Sequence, residues 1–201
     1  MALRELVSHL KKKRDDDPVV KAEQALIGKQ LNGFFPTPKA IISRMLELAD
    51  IRPGHRVLEP SAGKGDILDM LREHYPDADV AAVEQNGTLF DVLAAKGHDV
   101  ERGDFLEHAG TYDRIIMNPP FENGADIEHV RHAFDQLAAD GRLVSVMSEG
   151  PFFRSDRKAK EFREWLDEAG GESEQLPGDA FAGSDAFRQT GVRTRLVQIS
   201  K

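Results

Sequence analysis

The sequence contains no cysteine among its 201 residues, which excludes disulfide bridges, thiolate metal sites and thiol nucleophiles. It has no apolar stretch long enough to cross a bilayer and no hydrophobic signal-peptide core at its start. Its seven histidines are scattered, without the spacing of metal ligands. We therefore expect a cytoplasmic protein without a membrane partner and without a metal site.

Positive charge is also in short supply, because 27 lysines and arginines stand against 35 aspartates and glutamates, for a net charge of −8. This balance argues against a protein coated in nucleic acid, but it leaves room for a local basic groove. The hydrophobic content of 40% and the chain length together indicate one domain with a modest extension.

The first 30 residues differ in pattern from the rest, so residues 1–30 are predicted to be an N-terminal helical extension and residues 31–201 the main domain. Apolar residues recur at helical spacing from Leu3 to Leu10, and Pro18 separates them from a second helical stretch that reaches about residue 30. The extension either packs on the domain or binds a partner, and the sequence leaves both alternatives open.

Short apolar runs alternate with helical patterns through the main domain, as is typical of an α/β fold with a largely parallel sheet. Ile127, Val130, Phe134 and Leu137 recur at helical spacing and predict an amphipathic helix that stops at Gly141. The last two strands have no helix between them and should pair antiparallel. The predicted strands lie at residues 56–60 and 80–84, between residues 98 and 103, and around the apolar run 115–117, followed by strands at 143–147, 175–177 and 192–199.

A glycine-containing loop follows the first strand, at residues 59–66. Glycines there let the backbone approach a ligand closely, and the start of the next helix offers free amide donors. A dinucleotide-binding loop would carry a third glycine three residues after Gly65, where this chain has Leu68. The loop therefore favours an adenosine ligand without a pyrophosphate, with a plain tight turn as the alternative.

Two further positions at strand ends suit the same ligand. Glu84 ends the second strand about 20 residues after the glycines, where a carboxylate can bind both ribose hydroxyls. Asp104 could accept a hydrogen bond from an adenine amino group while Phe105 covers the ring. Equally, Asp104 could cap a turn and Phe105 could belong to the core.

A proline-rich loop at residues 33–38 leads into an amphipathic helix. Backbone amides and a hydroxyl at a helix start favour a bound carboxylate. On local evidence we favour the plainer interpretation, in which Thr37 caps the helix and Pro38 occupies its first turn.

The fourth strand ends in the most informative segment of the chain. Residues 115–117 form a buried apolar run that stops at Asn118, and Pro119 and Pro120 cannot donate ladder hydrogen bonds. The amide oxygen of Asn118 and the carbonyl of Pro119 can accept hydrogen bonds from an exocyclic amino group and turn its lone pair toward a methyl donor. Phe121 offers a stacking face for a planar base, a contact worth roughly 1–3 kcal/mol. A proline-stiffened strand end is the alternative.

A second candidate surface follows the fifth strand. Phe152 and Phe153 stand beside Arg154, with Arg157 and Lys158 a few residues on. Such residues bind a nucleic-acid strand by base stacking and phosphate contacts. Burial of both rings against the following helix is the alternative, and we favour it slightly.

In this order and on these elements, the motifs resemble those of the S-adenosylmethionine-dependent class I methyltransferases, in particular the amino (N6-adenine) DNA branch, over about residues 33–199. The resemblance implies an α/β fold with a Rossmann-like doubly wound sheet of about seven strands, mostly parallel with an antiparallel last strand, and helices on both faces. It implies a catalytic tetrapeptide Asn118, Pro119, Pro120, Phe121. The donor contacts that it implies are Phe35, Thr37, Pro38, Glu59, Ser61, Ala62, Gly63, Gly65, Asp66, Glu84, Gln85, Asp104, Phe105 and Asn118.

The resemblance further implies methyl transfer from S-adenosylmethionine to the N6 amino group of adenine, with DNA favoured over RNA. An RNA methyltransferase acting on adenine N6 or guanine N2 is the main alternative. Methylation of a protein glutamine and an inactive donor-binding subunit are less favoured. Sequence-specific DNA members carry a sizeable target-recognition region, and this chain has no room for one. Three alternatives follow: a partner protein supplies target recognition, the enzyme is promiscuous, or it recognises RNA by shape.

Overall fold

The computed structural model describes residues 16–26, 34–181 and 193–201. Its helices are α1 (Pro18–Gln24), α2 (Lys39–Ala49), α3 (Asp66–His74), α4 (Gly87–Ala95), α5 (Ala125–Asp135), α6 (Gly150–Phe153) and α7 (Arg157–Glu168). Its strands are β1 (Arg56–Glu59), β2 (Asp79–Glu84), β3 (Glu101–Arg102), β4 (Tyr112–Met117), β5 (Leu137–Ser148), β6 (Glu172–Gln175) and β7 (Thr194–Ser200). Short 3-10 turns occupy Phe105–Glu107 and Glu122–Gly124.

The strands form one sheet in the order β3-β2-β1-β4-β5-β7-β6. The pairs from β3 to β5 are parallel, whereas β7 is antiparallel to both β5 and β6. The order reverses between β1 and β4, and open α/β sheets bind ligands at the carboxyl ends of the strands at such a point. The predicted fold class, with its antiparallel last strand, is confirmed.

Hydrophobic clusters cover both faces of the sheet, because successive residues of a central strand point to opposite sides. On β4, Ile116 belongs to the cluster that includes Met45 of α2, whereas Ile115 belongs to the cluster with Phe162 of α7. All four side chains are completely buried. Two layers of helices therefore hold β4 rigidly and fix the segment that follows it.

The described part of the N-terminal extension packs on the domain. Asp17 caps α1 through its side chain, and Leu26 is buried against Leu89 and Val92 of α4. The helix ends at Gln24, earlier than predicted. The predicted helix over residues 3–10 lies outside the described residues. Within the described ranges, no helix has the length and apolar character needed to cross a bilayer.

The predicted end of the helix after the tetrapeptide is wrong, and the strand predicted at residues 175–177 lies at Glu172–Gln175. Helix α5 ends at Asp135 and does not continue to Gly141, because the chain turns at Gln136 and Leu137 already pairs with Tyr112 of β4. The side chain of Leu137 fits the helical spacing, but it lies in the core beside the sheet. A register shift early in the β4–β5 ladder accommodates this early start of β5.

Candidate active site

A cleft of about 610 Å³ opens at the carboxyl ends of β1, β2 and β4. Most of the predicted donor contacts line it, namely Phe35, Thr37, Glu59, Ser61, Ala62, Gly63, Asp66, Glu84, Gln85, Asp104, Phe105 and Asn118. Pro38 and Gly65 lie next to it, as the N-caps of α2 and α3. Of the tetrapeptide, Asn118 and Pro120 line the cleft. The structure thus brings together residues that are distant in sequence, such as Phe35 and Asn118, which are 83 positions apart.

The loop after β1 requires glycine at two positions. Gly63 has φ +58°, and a Cβ there would lie 2.8 Å from Cε2 of Phe34. Gly65 has φ +93°, and a Cβ there would lie 2.8 Å from Cδ2 of Leu93. Left-handed backbone and close neighbours together make any larger residue strained at both positions. The loop can therefore bring its backbone close to a ligand.

A polar network that the sequence did not predict supports this loop from behind. Nζ of Lys96 donates to the carbonyl of Lys64 at 2.7 Å and to Asp69 at 2.8 Å, and the ring of His98 bonds the same carboxylate at 2.8 Å. Burial opposes ionisation of Asp69, but the hydrogen bonds from His98 and Lys96 outweigh it and lower the pKa of Asp69 to about 2. The network ties the loop to α3 and to the end of α4.

Glu84 is held in place by the backbone around it. Its carboxylate oxygens accept from the amide of Gly63 at 2.7 Å and from the amide of Asn86 at 2.6 Å. Burial raises the pKa of Glu84, and these amide donors partly offset the effect. A carboxylate oxygen has a second lone pair, so Glu84 can accept further hydrogen bonds from ligand hydroxyls.

The cleft is acidic. Glu59 is 2% exposed, and its Oε2 is buried without a hydrogen-bond partner. Burial, followed by the neighbouring carboxylates of Asp66 and Glu84, raises the pKa of Glu59 well above its usual value. Lys64 also lines the cleft, but it pairs with Asp66 at 3.1 Å. Such an environment favours a cationic ligand.

The side-chain amide of Asn118 has a fixed orientation. Its Nδ2 donates to the carbonyl of Phe35 and to Oγ1 of Thr37, each at 3.0 Å, which leaves Oδ1 as a buried acceptor without a partner. Thr37 does not cap α2, whose N-cap is Pro38, so the interpretation favoured from the sequence is wrong here. The ring of Phe121 stacks on Phe35 at 5.8 Å between centroids.

Asp104 and Phe105 line the cleft, and each also has the local role that the sequence offered as an alternative, a turn cap and a core residue. Oδ1 of Asp104 caps the 3-10 turn by accepting from the amide of Leu106 at 2.9 Å, and Oδ2 lies 3.4 Å from Nε2 of Gln85. Phe105 is 2% exposed, yet it lines the cleft. The turn therefore aligns both side chains on the cleft wall.

His129 of α5 is a cleft residue that the sequence did not predict. It is 8% exposed, its Nδ1 is buried without a partner, and burial lowers its pKa. It lines the cleft together with Ala125, one helical turn earlier. The sequence carries one weak signal, a histidine on the amphipathic helix that follows the tetrapeptide.

Asp126, which follows the cleft residue Ala125, is a second residue that the sequence did not predict, and it connects the start of α5 with the end of β5. It is completely buried and accepts from the backbone amide of Ser148 at 3.0 Å, from the hydroxyl of Ser148 at 2.6 Å and from the amide of Ile127 at 3.1 Å. The end of β5 is thereby fixed to the start of α5.

We expect Asp126→Ala to lower the free energy of unfolding by about 2–4 kcal/mol, because buried donors lose their acceptor. Ser148→Ala removes only the hydroxyl and should cost about 1 kcal/mol. Urea denaturation of the three proteins measures both values. Equal midpoints for Asp126→Ala and the unmutated protein would contradict this role.

The residues predicted to bind substrate differ in their surroundings. Phe152 is half-buried, packs edge-on against Phe162 and lies 4.8 Å below the guanidinium of Arg195, whereas Phe153 is 70% exposed. The slight preference for burial of both rings is therefore wrong for Phe153. Its exposed ring is free to stack on a ligand.

The neighbouring basic residues also differ. Arg154 is exposed, and the side chain of Arg157 is 91% exposed with a 3.6 Å contact to Glu161. Lys158 instead pairs with Glu128 at 2.7 Å and donates to the carbonyl of Asn123. That second contact ties α7 to the turn directly after the tetrapeptide. No group of acidic and histidine side chains suited to a metal ion occurs in the described part of the chain.

The fold and the site define the class of protein: a Rossmann-like S-adenosylmethionine-dependent methyltransferase. The residues fit that donor, since the cleft has an acidic wall for its charged end, a glycine loop for close approach and unpartnered buried polar atoms. The family model of the methyltransferase small domain matches residues 40–155, more than half of the chain. The chain belongs to this family.

Three curated proteins to which the chain is similar are methyltransferases with different targets. The chain is 31% identical over 101 residues to modification methylase CviBIII of Paramecium bursaria Chlorella virus NC1A, covering 46% of this chain and 27% of the relative. It is 31% identical over 86 residues to the ribosomal protein uL3 glutamine methyltransferase of Neisseria meningitidis, covering 37% and 27%. It is 28% identical over 133 residues to ribosomal RNA small subunit methyltransferase C of Cronobacter sakazakii, covering 59% and 39%. The chain thus spans well under half the length of these relatives.

Among solved structures, a modification subunit assigned to a type I restriction enzyme of Vibrio vulnificus superposes with a TM-score of 0.70 at 20% identity. The match covers 98% of this chain and 48% of that subunit. At this level of identity the match supports the fold.

Proposed function

We propose that this protein transfers a methyl group from S-adenosylmethionine to the N6 amino group of adenine in DNA. The observation that carries the proposal is the amide of Asn118. Its Nδ2 is engaged by Phe35 and Thr37, so its Oδ1 can only accept, and that atom is buried without a partner in the cleft wall. A target amino group supplies the missing donor.

The residues of the cleft then act by positioning and electrostatics. S-adenosylmethionine supplies a methyl group on a positively charged sulfur. Asn118 Oδ1 and the Pro119 carbonyl each accept a hydrogen bond from the target amino group, which directs its lone pair at the methyl carbon. The new carbon–nitrogen bond would form in line as the carbon–sulfur bond breaks and S-adenosylhomocysteine leaves, and the cationic nitrogen would then lose a proton to water. The target adenine must leave the base stack or be single-stranded to reach the cleft.

An exposed aromatic and basic surface favours nucleic acid over a protein glutamine as the methyl acceptor. Phe153, Arg154 and Arg157 are exposed on α6 and at the start of α7. The bonds of Asp126 to Ser148 and of Lys158 to Asn123 place this surface beside the turn that follows the tetrapeptide. A glutamine side chain would need neither a stacking ring nor phosphate partners.

Replacing Phe153 tests this surface directly. We expect Phe153→Ala to raise KM for an oligonucleotide about tenfold, because a stacking contact worth about 1–3 kcal/mol is lost, and to leave the affinity for S-adenosylmethionine unchanged. Phe153→Leu is the matched control, since it keeps apolar area without the flat face. Its KM for the oligonucleotide should lie between those of the unmutated protein and Phe153→Ala. An unchanged KM in Phe153→Ala would remove Phe153 from the substrate surface.

An RNA amino-methyltransferase is the second candidate, because a modification methylase and a ribosomal RNA methyltransferase match at similar identity. The deciding experiment incubates the protein with methyl-labelled S-adenosylmethionine and one acceptor per reaction: single-stranded DNA, duplex DNA, RNA or a glutamine peptide. Each acceptor is then digested and the labelled product is identified. Label in N6-methyldeoxyadenosine supports the proposal. Label in RNA nucleosides or in the peptide overturns it, and no label despite donor binding indicates a required partner protein or an inactive donor-binding subunit.

A further inference from the structure

We propose that His129 is an additional donor-binding residue whose imidazole Nδ1–H hydrogen-bonds a ring nitrogen of the adenine in S-adenosylmethionine. The side chain is 8% exposed and forms part of the cleft wall. Its Nδ1 is a buried polar atom for which the described part of the chain provides no partner. Buried polar atoms are nearly always satisfied, so a ligand is the natural source of this missing partner.

The neighbours of His129 indicate which part of the donor it meets. Its ring lies 5.5 Å from that of Phe105, with the planes inclined at 54°. Asp104 is close enough for its charge to act on the imidazole. Both neighbours line the cleft and are the pair to which the family resemblance assigns adenine. Ala125, one turn earlier on α5, is too small to shield His129 from that space.

Adenine presents an amino group that donates and ring nitrogens that accept. The carboxylate of Asp104 can only accept, so it suits the amino group and leaves the flanking ring nitrogens N1 and N7 in need of donors. Burial keeps the imidazole of His129 neutral, which gives it a single N–H. The tautomer with the proton on Nδ1 supplies a donor on the wall that Asp104 shares.

His132 provides a matched control, because it separates packing from hydrogen bonding. It lies on the same helix and contacts the same ring, with its centroid 4.8 Å from that of Phe105 in an edge-on arrangement. Its Nε2, however, is bonded to the carbonyl of His108 at 2.9 Å, and the residue does not line the cleft. If His129 merely packs against Phe105, the two histidines should behave alike.

Calorimetric titration with S-adenosylhomocysteine and its 1-deaza, 7-deaza and 3-deaza analogues tests the proposal. We expect His129→Phe to weaken binding of S-adenosylhomocysteine about five- to tenfold. The unmutated protein and His132→Phe should lose a similar factor with the 1-deaza or the 7-deaza analogue, and His129→Phe should lose no more. The 3-deaza analogue lacks a nitrogen remote from the amino group and should bind all three proteins as S-adenosylhomocysteine does.

His129→Asn keeps a donor at the position of Nδ1 and should retain the discrimination between analogues, which also covers the case in which the phenylalanine variant folds poorly. The proposal is overturned if His129→Phe binds as tightly as the unmutated protein, or if it still discriminates between the analogues. The readout is donor affinity alone, so it stands or falls independently of whether the methyl acceptor is DNA, RNA or protein.

Discussion

Asn118→Ala should lower kcat by about a thousandfold or more while S-adenosylmethionine binds within about threefold of its normal affinity. The variant removes the acceptor that orients the target amino group, and a single preorganised polar contact of this kind is worth about 10²–10³ in rate. Misplacement of the reacting nitrogen adds to that loss. Single-turnover kinetics at saturating donor, with calorimetry for the donor affinity, measure the two quantities separately.

Thr37→Val is the graded control for Asn118. The change removes one of the two acceptors that hold Nδ2 of Asn118 and leaves the carbonyl of Phe35 in place. The amide should then be less well oriented, with kcat lowered about tenfold and the acceptor oxygen still present. Simultaneous loss of turnover and donor binding in Asn118→Ala would refute the catalytic assignment, and full activity in Thr37→Val would show that the anchor is dispensable.

The parts of the fold that the sequence predicts are those that depend on residues close together in sequence. The buried run of β4 ends at Asn118 because prolines follow directly, and the glycines after β1 are required by left-handed backbone at Gly63 and Gly65. Strand direction also follows from local signals, because helical patterns between strands predict parallel crossovers, and the lack of a helical pattern in the sequence before the last strand predicts the antiparallel pairing of β7.

The parts that the sequence did not predict depend on contacts between distant residues. The local sequence predicts Thr37 to be a helix cap, but its hydroxyl accepts a hydrogen bond from Asn118, 81 residues away. Asp126 has the local pattern of an acidic residue in the first turn of a helix, but its carboxylate accepts hydrogen bonds from Ser148 at the end of β5. The predicted end of α5 is wrong because the side chain of Leu137 continues the helical spacing, whereas its backbone pairs with Tyr112 of β4. Periodicity records which side chains are buried and does not record their partners.

Glu84→Ala should weaken binding of S-adenosylmethionine about a hundredfold or more. The carboxylate is fixed by the amides of Gly63 and Asn86, so it is preorganised for hydroxyl groups of a ribose. Each hydrogen bond to a charged group contributes about 1.5–3 kcal/mol, and two of them correspond to the expected loss. Calorimetric titration with S-adenosylmethionine gives the affinity.

Loss of the amide contacts could also loosen the glycine loop, and a ribose analogue separates this effect from direct binding. The unmutated protein should bind the 2′-deoxy analogue of S-adenosylhomocysteine at least tenfold more weakly than the parent compound, whereas Glu84→Ala should bind the two alike. Glu84→Gln retains one acceptor oxygen but presents an amide nitrogen to either Gly63 or Asn86. Its affinity for S-adenosylmethionine should therefore lie between those of the unmutated protein and Glu84→Ala. If Glu84→Ala still distinguished the deoxy analogue as strongly as the unmutated protein, Glu84 would be a support for the loop and another group would bind the ribose.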